Sequence, residues 1–393
     1  MPDMKKWFFF IAALLSSSGL WAQDDFKVIC GPYLQNMGEN EVTVLWITNR
    51  DAVGWVEIAP DDSIHFYADT RPTFYQSRNG RKTIGKLHCV RVSGLEAGTT
   101  YRYRILSKEV TRNEDYFVQY GKATGSDVFE HAPYRFTTFD THKPSIRCTV
   151  VNDIHGKNDL QKALLQEVAQ SHTDFVLFNG DMANHLSSEQ QIIDDFLKTA
   201  TETFAAETPF FFARGNHETR GRLAYEFLDY FPSPTGKTYY TFRNGPAFFI
   251  VLDGGEDKPD NDIEYHGLGD YDRYRDEEAR WLESVVTSEA FQEAAFRIVV
   301  MHITPVNDTW HGALETRRKF VPLLNEHQID LMLCGHTHHP YYAPAGQDGC
   351  DFPLLINPPD QAVDLDISNQ QLQVSLRDAT GKTLKTLSFH AKP

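Results

Sequence analysis

Polar residues able to bind metals recur directly after short apolar runs from residue 150 onward in this chain of 393 residues. The polar clusters are Asp153-Ile154-His155, Gly180-Asp181, Gly215-Asn216-His217-Glu218, His302 and Gly335-His336-Thr337-His338. The apolar runs have the length of buried β-strands, and binding residues collect in the loops that follow such strands. We therefore expect a fold that gathers these clusters at neighbouring strand ends, with two Asp, one Asn and four His as candidate ligands.

The pattern from about residue 142 onward is typical of α/β architecture, because apolar runs alternate with helical stretches. The predicted strands are residues 146–152, 175–179, 210–213, 296–301 and 329–333. Residues 160–169 have the spacing of an amphipathic helix, and residues 239–252 are β-rich. The end of the chain predicts strands again, at residues 365–367, 372–376 and 384–389, around a turn at 379–382.

The region before it, residues 26–140, predicts a β-rich unit with strands at 42–46, 53–58, 89–92 and 101–105. The segment from Gly94 to Tyr101 predicts a turn that leads into a strand beginning with Tyr. This resembles the tyrosine corner of a fibronectin type III sandwich, in which the Tyr hydroxyl bonds back to the preceding turn. Residues 32–35, followed by 42–48, are similar to the start of the N-terminal domain of purple acid phosphatases. The alternative for this unit is a generic adhesion or spacer sandwich.

The charge balance argues against nucleic acid and anionic membrane as partners. The chain has 38 Lys and Arg against 54 Asp and Glu, a formal charge of −16, and no basic run offsets it. Its 41% hydrophobic and 23% charged residues are typical of a soluble globular protein.

The first 22 residues have the pattern of a secretory signal peptide. Lys5 and Lys6 precede an apolar stretch, and small residues then lead to a cleavage site after Ala22. We expect a protein exported to the periplasm or the extracellular space, with no membrane attachment after cleavage. The alternative is that the segment is retained as an N-terminal anchor.

The five cysteines are widely spaced and form no metal-binding or disulfide pattern. Cys148 and Cys334 lie within predicted strands, where a thiol acts as a small hydrophobic group. A disulfide between Cys334 and Cys350 is an open alternative in an oxidising compartment, and nothing in the sequence pairs Cys30 with Cys89.

The residue types in the clusters predict the chemistry of the site. Imidazole and carboxylate together suit Zn, Mn or Fe, whereas Ca and Mg sites are built from oxygen ligands. Seven ligands exceed the needs of one tetrahedral ion, whereas two ions that share a carboxylate would use them all. A pair of ions roughly 3.5 to 4 Å apart is a recurrent solution for phosphoryl chemistry.

Taken in order, the clusters D-x-H, G-D, G-N-H-E, V-x-x-H and G-H-x-H resemble those of the calcineurin-like metallophosphoesterase superfamily, across roughly residues 145–393. The separate resemblance of the N-terminal unit implies a fibronectin-like all-β sandwich at 26–140, and the clusters add the following expectations. Their resemblance implies an α/β metallophosphoesterase domain at 141–393, with a central two-sheet β-sandwich flanked by helices. It also implies two divalent or trivalent transition metal ions, Fe, Zn or Mn, as cofactors.

The resemblance also implies a role for each ligand. Asp153, His155 and His338 would hold the first ion, and Asp181 would bridge the two. The second ion would be held by Asn216, His302 and His336. A hydroxide on the metals would attack phosphorus in line with the leaving oxygen. His217 would bind a phosphoryl oxygen or protonate the leaving group.

Two positions depart from the pattern of purple acid phosphatases. That family carries Gly where this chain has His155, and a Tyr that binds ferric iron where this chain has Asn184. The phenolate ligand is therefore missing, and a neutral His would replace it. Asn184 is expected either to bond to His217 or simply to pack in its loop.

For several further residues near the clusters, the sequence leaves two alternatives open. We expect Glu218 either to orient His217 or to cap a following helix. We expect Arg214 and Arg220 either to bind a substrate phosphate or, as we favour, to form salt bridges. The segment 256–278 predicts a long loop that overhangs the site or is an ordinary solvated insertion. Trp310 and His311 line the pocket or only pack, and His185 and His339 are undecided.

These observations predict an exported, dinuclear metal-dependent phosphatase that hydrolyses small phosphate monoesters. The alternatives are a phosphodiesterase or nucleotide hydrolase on the same site, and a surface binding protein with an inactive second domain. The sequence leaves the natural substrate, metal identities, pH optimum and oligomeric state undetermined.

Overall fold

A computed structural model describes residues 25–391. The predicted signal peptide, residues 1–22, lies outside this range. Within it, no helix combines the length and the apolar character needed to span a bilayer. The chain folds into an N-terminal β-rich region followed by an α/β region, as the sequence predicted. The exact boundary at residues 140 and 141 stays a prediction.

The N-terminal region is built on one long strand. Its strands are β1 (Val28–Gln35), β2 (Glu41–Pro60), β3 (Thr73–Tyr75), β4 (Ser77–Arg78), β5 (Arg81–Lys82), β6 (Gly85–Ser93), β7 (Thr100–Glu114), β8 (Phe117–Gly125) and β9 (Tyr134–Thr137). The predicted strands at 42–46 and 53–58 are two halves of β2, so the expected break between them was wrong. The first half pairs with β6 and the second with β7, which makes a turn unnecessary.

The tyrosine-corner hydrogen bond is present at the start of β7. The Tyr101 hydroxyl accepts a hydrogen bond from the backbone N–H of Glu96 at 3.0 Å, across the predicted turn. The fibronectin type III assignment itself stays a prediction.

The α/β region contains two six-stranded sheets, and the first has the order β12-β11-β10-β19-β20-β21. Its strands are β10 (Ser145–Val151), β11 (Phe175–Asn179), β12 (Phe210–Ala213), β19 (Gln361–Ser368), β20 (Gln371–Asp378) and β21 (Thr383–His390). Strands β10, β11 and β12 are parallel, whereas the last three add antiparallel pairs. The parallel strands read as continuous apolar runs because both faces are covered.

The second sheet has the order β13-β14-β15-β16-β18-β17. Its strands are β13 (Tyr240–Asn244), β14 (Ala247–Leu252), β15 (Phe296–Met301), β16 (Leu331–Cys334), β17 (Tyr341–Ala343) and β18 (Leu354–Ile356). Strands β14, β15, β16 and β18 are parallel. The two sheets share one buried apolar cluster, to which Val150 and Leu177 contribute from the first sheet and Val251 and Val300 from the second.

Helices cover the outer faces of both sheets. They are α1 (Asn158–Leu165), α2 (Glu189–Ile192), α3 (Lys198–Thr203), α4 (Phe227–Tyr230), α5 (Tyr271–Val286), α6 (Glu289–Glu293), α7 (His311–Lys319) and α8 (Val321–Asn325). A π-helical turn, Ile193–Leu197, joins α2 to α3. Helices α1 to α3 pack on the first sheet, and α5, α6 and α8 pack on the second. The α/β region is therefore a two-sheet sandwich between helical layers.

One predicted helix and one predicted loop were wrong in part. Helix α1 ends at Leu165, four residues before the predicted end at residue 169. The predicted loop at 256–278 ends at the start of α5, so residues 271–278 are helical. The inner face of α5 begins with Arg275 and Glu278, both buried, and this polar start concealed the apolar period.

Hydrogen bonds join the two regions. Tyr33 donates to the carbonyl of Tyr230 at 2.9 Å, and Gln35 Nε2 donates to the carbonyl of Phe210 at 2.8 Å. Tyr103 donates to the carbonyl of Ala206. The β-rich region thus packs against the edge of the first sheet, away from the strand ends that carry the clusters.

Candidate metal centre

The five clusters lie together at one edge of the sandwich. In the first sheet, β10, β11 and β12 run parallel, and Asp153, Asp181 and Asn216 follow their carboxyl ends. In the second sheet, β15 and β16 run parallel, and His302 and His336 follow them. Ligands in open α/β sheets bind beyond the carboxyl ends of the strands, so the topology itself builds the site.

Several candidate ligands have left-handed backbone conformations. The φ angle is 54° at Asp153, 49° at His155, 56° at Asp181, 73° at His336 and 59° at His338. Such conformations cost energy in residues other than Gly and cluster at functional sites, where surrounding contacts hold them in place. The loops are therefore shaped for side-chain placement at the expense of local backbone preference.

Glycines allow the ligand loops to approach one another. A Cβ on Gly215 would collide with Asp181 Oδ1, and a Cβ on Gly180 would collide with the ring of His302. A Cβ on Gly335 would lie 2.7 Å from Asp153 Oδ2. These three positions explain why Gly precedes the ligand in three of the clusters.

A first set of ligand atoms comes from Asp153, His155 and His338, and these atoms lie within 4.8 Å of one another. His338 Nε2 is 3.0 Å from Asp153 Oδ1 and 3.3 Å from His155 Nε2. The Nδ1 of His155 lies 3.1 Å from Asn184 Oδ1, which can only accept its proton. That hydrogen bond leaves the Nε2 lone pair of His155 facing the set.

A second set comes from Asp181, His302 and His336. His302 Nδ1 donates to the carbonyl of Asn179 at 2.7 Å, so Nε2 faces Asp181 Oδ2, 3.1 Å away. His336 Nδ1 is 3.0 Å from Asn216 Oδ1, which brings Asn216 into this set.

Asp181 Oδ2 lies between the sets. It is 3.1 Å from His302 Nε2, 3.9 Å from His155 Nε2 and 3.8 Å from His217 Nε2. The other oxygen, Oδ1, accepts the backbone N–H of His217 at 3.0 Å. One carboxylate oxygen is therefore held by the loop while the other stays directed at the site.

Glu218 has neither of the roles expected for it. Its carboxylate accepts backbone N–H groups of Asp181, Met182, Ala183 and Gly215 at 2.8 to 3.3 Å. Glu218 therefore holds the Gly180-Asp181 turn against the loop that carries Asn216. Burial and the adjacent Asp181 carboxylate raise the pKa of Glu218 to about 7.

The buried carboxylates and imidazoles strongly influence each other. Burial opposes the charged form of His302, yet the carboxylates of Asp181 and Asp153 raise its pKa to about 10. Burial likewise opposes ionisation of both aspartates, but His302 lowers their pKa values. The two aspartates are therefore ionised, and the site attracts positive charge.

His217 lies beside the two sets and is held by the Asn184 loop. Its Nδ1 donates to the backbone carbonyl of Asn184 at 2.8 Å, not to the side chain of that residue. Its Nε2 faces Arg220 Nη1 at 3.3 Å. Asn184 thus orients two histidines, His217 through its carbonyl and His155 through its side chain.

The two arginines near His217 form salt bridges, as favoured. Arg214 pairs with Asp253 at 2.8 Å, and Arg220 pairs with Glu256 at 2.7 Å. Arg220 differs from Arg214 because its Nη1 also reaches His217, so the salt bridge leaves this guanidinium at the edge of the site.

The remaining predicted residues surround the site less closely. Trp310 is exposed, and Lys258 Nζ lies 5.5 Å from its ring centre. His311 pairs with Asp272 at 2.9 Å, which gives it a structural partner. His185 and His339 are exposed and belong to neither set of ligand atoms. All five cysteines are free, so the alternative of a Cys334–Cys350 disulfide is not realised here.

The donor set fits a pair of transition metal ions. His302 Nε2 is fully buried and has no hydrogen-bond partner among the described residues. Buried polar atoms without partners are rare in native proteins, and an ion is one explanation for such an atom. Imidazole nitrogens and carboxylate oxygens converging in this way suit Zn, Mn or Fe.

Sequence reasoning missed several groups that hold the ligands. Asn152 Nδ2 donates to Asp153 Oδ2 at 2.6 Å, and Asn357 Nδ2 donates to Asn152 Oδ1 at 2.9 Å. Asp308 Oδ2 lies 3.4 Å from His336 Nε2. Asn152 adjoins a cluster and was a detectable signal, whereas Asn357 and Asp308 carry none in the sequence.

Comparison with known families matches both regions. The description "Calcineurin-like phosphoesterase" fits residues 146–340, and "Purple acid Phosphatase, N-terminal domain" fits residues 30–138. These matches confirm the resemblance of both regions that the motifs indicated.

Individual relatives are more distant. An uncharacterised protein of Mycobacterium tuberculosis is 30% identical over 42% of this chain and 34% of its own length. Purple acid phosphatase 21 of Arabidopsis thaliana is 23% identical over 65% of this chain and 52% of its own. Acid phosphatase type 7 of Mus musculus is 25% identical over 63% and 54%. The chain thus spans about a third to a half of the length of these curated relatives.

Proposed function

Because residues 146–340 match the calcineurin-like phosphoesterase family, we propose that the chain is an exported dinuclear metal-dependent phosphatase acting on small phosphate monoesters. The observation that carries the proposal is the convergence of seven candidate ligand side chains, Asp181 among them, into two adjoining sets. The names of the plant and mouse relatives support a phosphatase activity. Export rests on the signal-peptide pattern of residues 1–22.

In this proposal Asp153, His155 and His338 would hold one ion, and Asn216, His302 and His336 the second. Asp181 would be shared between them. When bound, the metals would activate a water molecule and neutralise charge on the phosphoryl oxygens. The protein's own contribution is to fix each donor atom through the carbonyl of Asn179, the side chain of Asn184 and the backbone of the ligand loops.

His217 and Arg220 act on the substrate. His217 Nε2 faces the ligand sets, because Nδ1 is engaged by the carbonyl of Asn184. Since Nδ1 donates to that carbonyl, Nε2 carries a proton only in the imidazolium form, and in that form His217 would bind a phosphoryl oxygen or protonate the leaving oxygen. Arg220, fixed by Glu256, adds positive charge beside His217 and favours an anionic substrate.

The centre is not expected to be purple. Asn184 stands where purple acid phosphatases carry the tyrosinate ligand, and its side chain faces His155. Iron-loaded protein should therefore lack the visible phenolate-to-iron absorption band. Such a band would contradict the assignment of these two positions.

Metal analysis combined with two substrates tests the function. Chelator-treated protein would be reloaded with Zn²⁺, Mn²⁺ or Fe²⁺, its bound ions counted, and hydrolysis of p-nitrophenyl phosphate compared with that of its bis-ester. We expect two ions per chain and faster hydrolysis of the monoester. Two ions without turnover of any phosphoester would contradict the enzyme assignment and favour a surface binding protein.

The bridge is tested by Asp181→Asn. We expect monoester turnover to fall by more than about 100-fold, because partners outside the ligand shell already contribute 10- to 100-fold. Asp366→Asn is a matched control, since Asp366 pairs with Arg147 at 3.4 Å on the surface of the first sheet. Full activity in Asp181→Asn would overturn the assignment of the bridge.

A phosphodiesterase or nucleotide hydrolase is the second candidate, and Trp310 favours it. The exposed ring of Trp310 follows Asp308, which contacts the ligand His336, so an aromatic face lies at the rim of the site. Bases stack on such faces. A strong preference for the bis-ester would promote this candidate.

Export is tested separately. N-terminal sequencing of the protein recovered from the secreting cell is expected to begin at Gln23. A chain that retains residues 1–22 at the membrane would instead support the anchor.

A further inference from the structure

Both nitrogens of His336 face polar groups, but only one of them faces the ligand sets. Nδ1 lies 3.0 Å from Asn216 Oδ1, within the second set of donors. Nε2 points the other way and lies 3.4 Å from Asp308 Oδ2. A neutral imidazole carries its proton on one nitrogen alone, so the group facing Nε2 decides whether Nδ1 has a free lone pair.

Asp308 is placed to make that decision. Its side chain is only 7% exposed, and it lies six residues beyond the ligand His302. Its Oδ1 accepts the backbone N–H groups of Thr309 and Trp310 at 2.6 and 3.1 Å. Its Oδ2 is buried and has no hydrogen-bond partner of good geometry among the described residues, and it faces His336 Nε2 at 3.4 Å.

The surroundings of the carboxylate limit which group it can accept from. Its Oδ1 is occupied by the amides of Thr309 and Trp310, which leaves Oδ2 to face His336. An ionised carboxylate accepts hydrogen bonds and donates none, so it pairs with an Nε2–H and not with a lone pair.

We propose that Asp308 is a positioning residue that accepts the Nε2–H of His336 and thereby directs the Nδ1 lone pair at the ion shared with Asn216 and His302. This inference rests on the proposed dinuclear site and assigns a role to a residue outside its ligand shell. A carboxylate behind a ligating histidine fixes the tautomer and the ring orientation and raises the basicity of the ligand.

A purely structural role for Asp308 makes a different prediction. The loop before α7 uses Oδ1 alone, through the N–H groups of Thr309 and Trp310. Asp308→Asn keeps an oxygen for those two donors but places an NH₂ group against His336. That NH₂ would favour a proton on Nδ1, the tautomer that blocks metal binding there.

Calorimetric titration of metal-free full-length protein with Zn²⁺ separates the two roles. We expect wild type to bind two ions and Asp308→Asn to bind one of them about 10- to 100-fold more weakly, with the other unchanged. Asp260→Asn is the matched control, because Asp260 accepts the N–H groups of Tyr271 and Asp272 at the start of α5. It should leave both affinities unchanged.

A double-mutant cycle guards against a general loss of structure. In a His336→Gln background, adding Asp308→Asn should have no further effect on Zn²⁺ affinity, because the nitrogen that it acts upon is gone. An additional loss in that background would overturn the inference and indicate a structural role. Two unchanged affinities in Asp308→Asn, alongside two ions in wild type, would also overturn it. Wild type that binds no ions would overturn the proposed function, and this inference with it.

Discussion

Two buried histidines, one in each region, show how a histidine with a structural role differs from one placed to bind a ligand. His88, on β6, is 2% exposed, its Nε2 lies 3.1 Å from Thr48 Oγ1, and its ring stacks on Trp46. His302, after β15, is fully buried, but its Nε2 lacks a hydrogen bond and faces Asp181. Burial alone lowers the pKa of His88 to about 4, whereas two carboxylates overcome burial and raise that of His302 to about 10.

The backbone differs between the regions in the same way. In the described part of the N-terminal region, left-handed residues other than Gly are Asn36, Asn79 and Asp115. All three are of the type that turns favour. In the α/β region the same conformation occurs at Asp153, His155, Asp181, His336 and His338, all of them candidate ligands, and also at His172, His266, Asn307 and Asp348 outside the clusters. A buried side chain whose polar atoms have hydrogen-bond partners indicates a structural role. Buried ligand atoms that converge without such partners, on residues with unfavourable backbone conformations, indicate a functional site.

Among substitutions that leave every candidate ligand in place, the largest expected effect comes from Gly215→Ala. The added Cβ would collide with Asp181 Oδ1 and crowd Glu218 Oε2. We expect phosphatase activity and metal affinity to fall by up to about 100-fold, and stability by about 1–3 kcal/mol. Gly85→Ala in the N-terminal region is the control, because its Cβ would meet nothing closer than 3.9 Å. Equal effects of the two substitutions would erase the contrast between the regions.

The pH dependence of stability should report on His88. The pKa of His88 is about 4 in the folded protein and about 6.5 in an unfolded chain, so the unfolded chain binds the proton first as pH falls. The contribution of neutral His88 to the free energy of unfolding is fully present above pH 6.5 and is lost as the pH falls from 6.5 to 4. This loss is at most about 3 kcal/mol. Denaturant unfolding of metal-free wild type and His88→Gln at several pH values would measure the difference. A difference that does not vary with pH would show that His88 is not held neutral.

Glu218→Gln should weaken the turn that carries Asp181. The carboxylate accepts four backbone N–H groups, and a glutamine offers one oxygen and places an NH₂ group against the others. We expect a loss of about 1–3 kcal/mol in the free energy of unfolding, together with a loss of activity smaller than that of Gly215→Ala. Unchanged unfolding would indicate that the turn is held by other contacts.

Tyr101→Phe should have the smallest effect. The Tyr101 hydroxyl accepts one hydrogen bond, from the N–H of Glu96, in a partly exposed turn of the N-terminal region. We expect unfolding to be easier by about 0.5–1.5 kcal/mol, with activity unchanged. A loss of activity in this variant would show that the N-terminal region is coupled to the metal site.

Local patterns predicted most of the fold because apolar runs and turns are local signals. Strands β11, β12 and β15 were predicted to the residue, and β10 and β16 within two residues, so the ligand-bearing strand ends followed directly. The predictions failed where tertiary contacts determine the extent of a strand or the buried face of a helix. Strand β2 continues through two pairing partners, and α5 buries the polar residues Arg275 and Glu278.

The candidate ligands could be predicted, but the groups that hold them could not. A ligand carries its own donor atom, so its residue type is informative. Glu218, Asn184 and Asp308 act through partners that the fold brings from other strands. Even with Glu218 singled out, its four amide partners were not predictable, because they depend on the register of β11 against β12.

Anomalous X-ray scattering from crystals of the protein reloaded with Zn²⁺ or Mn²⁺ would test the dinuclear site most directly. We expect two ions, one on each side of Asp181. One would contact Asp153, His155 and His338, and the other Asn216, His302 and His336. A single ion, or two ions that do not share Asp181, would contradict this expectation.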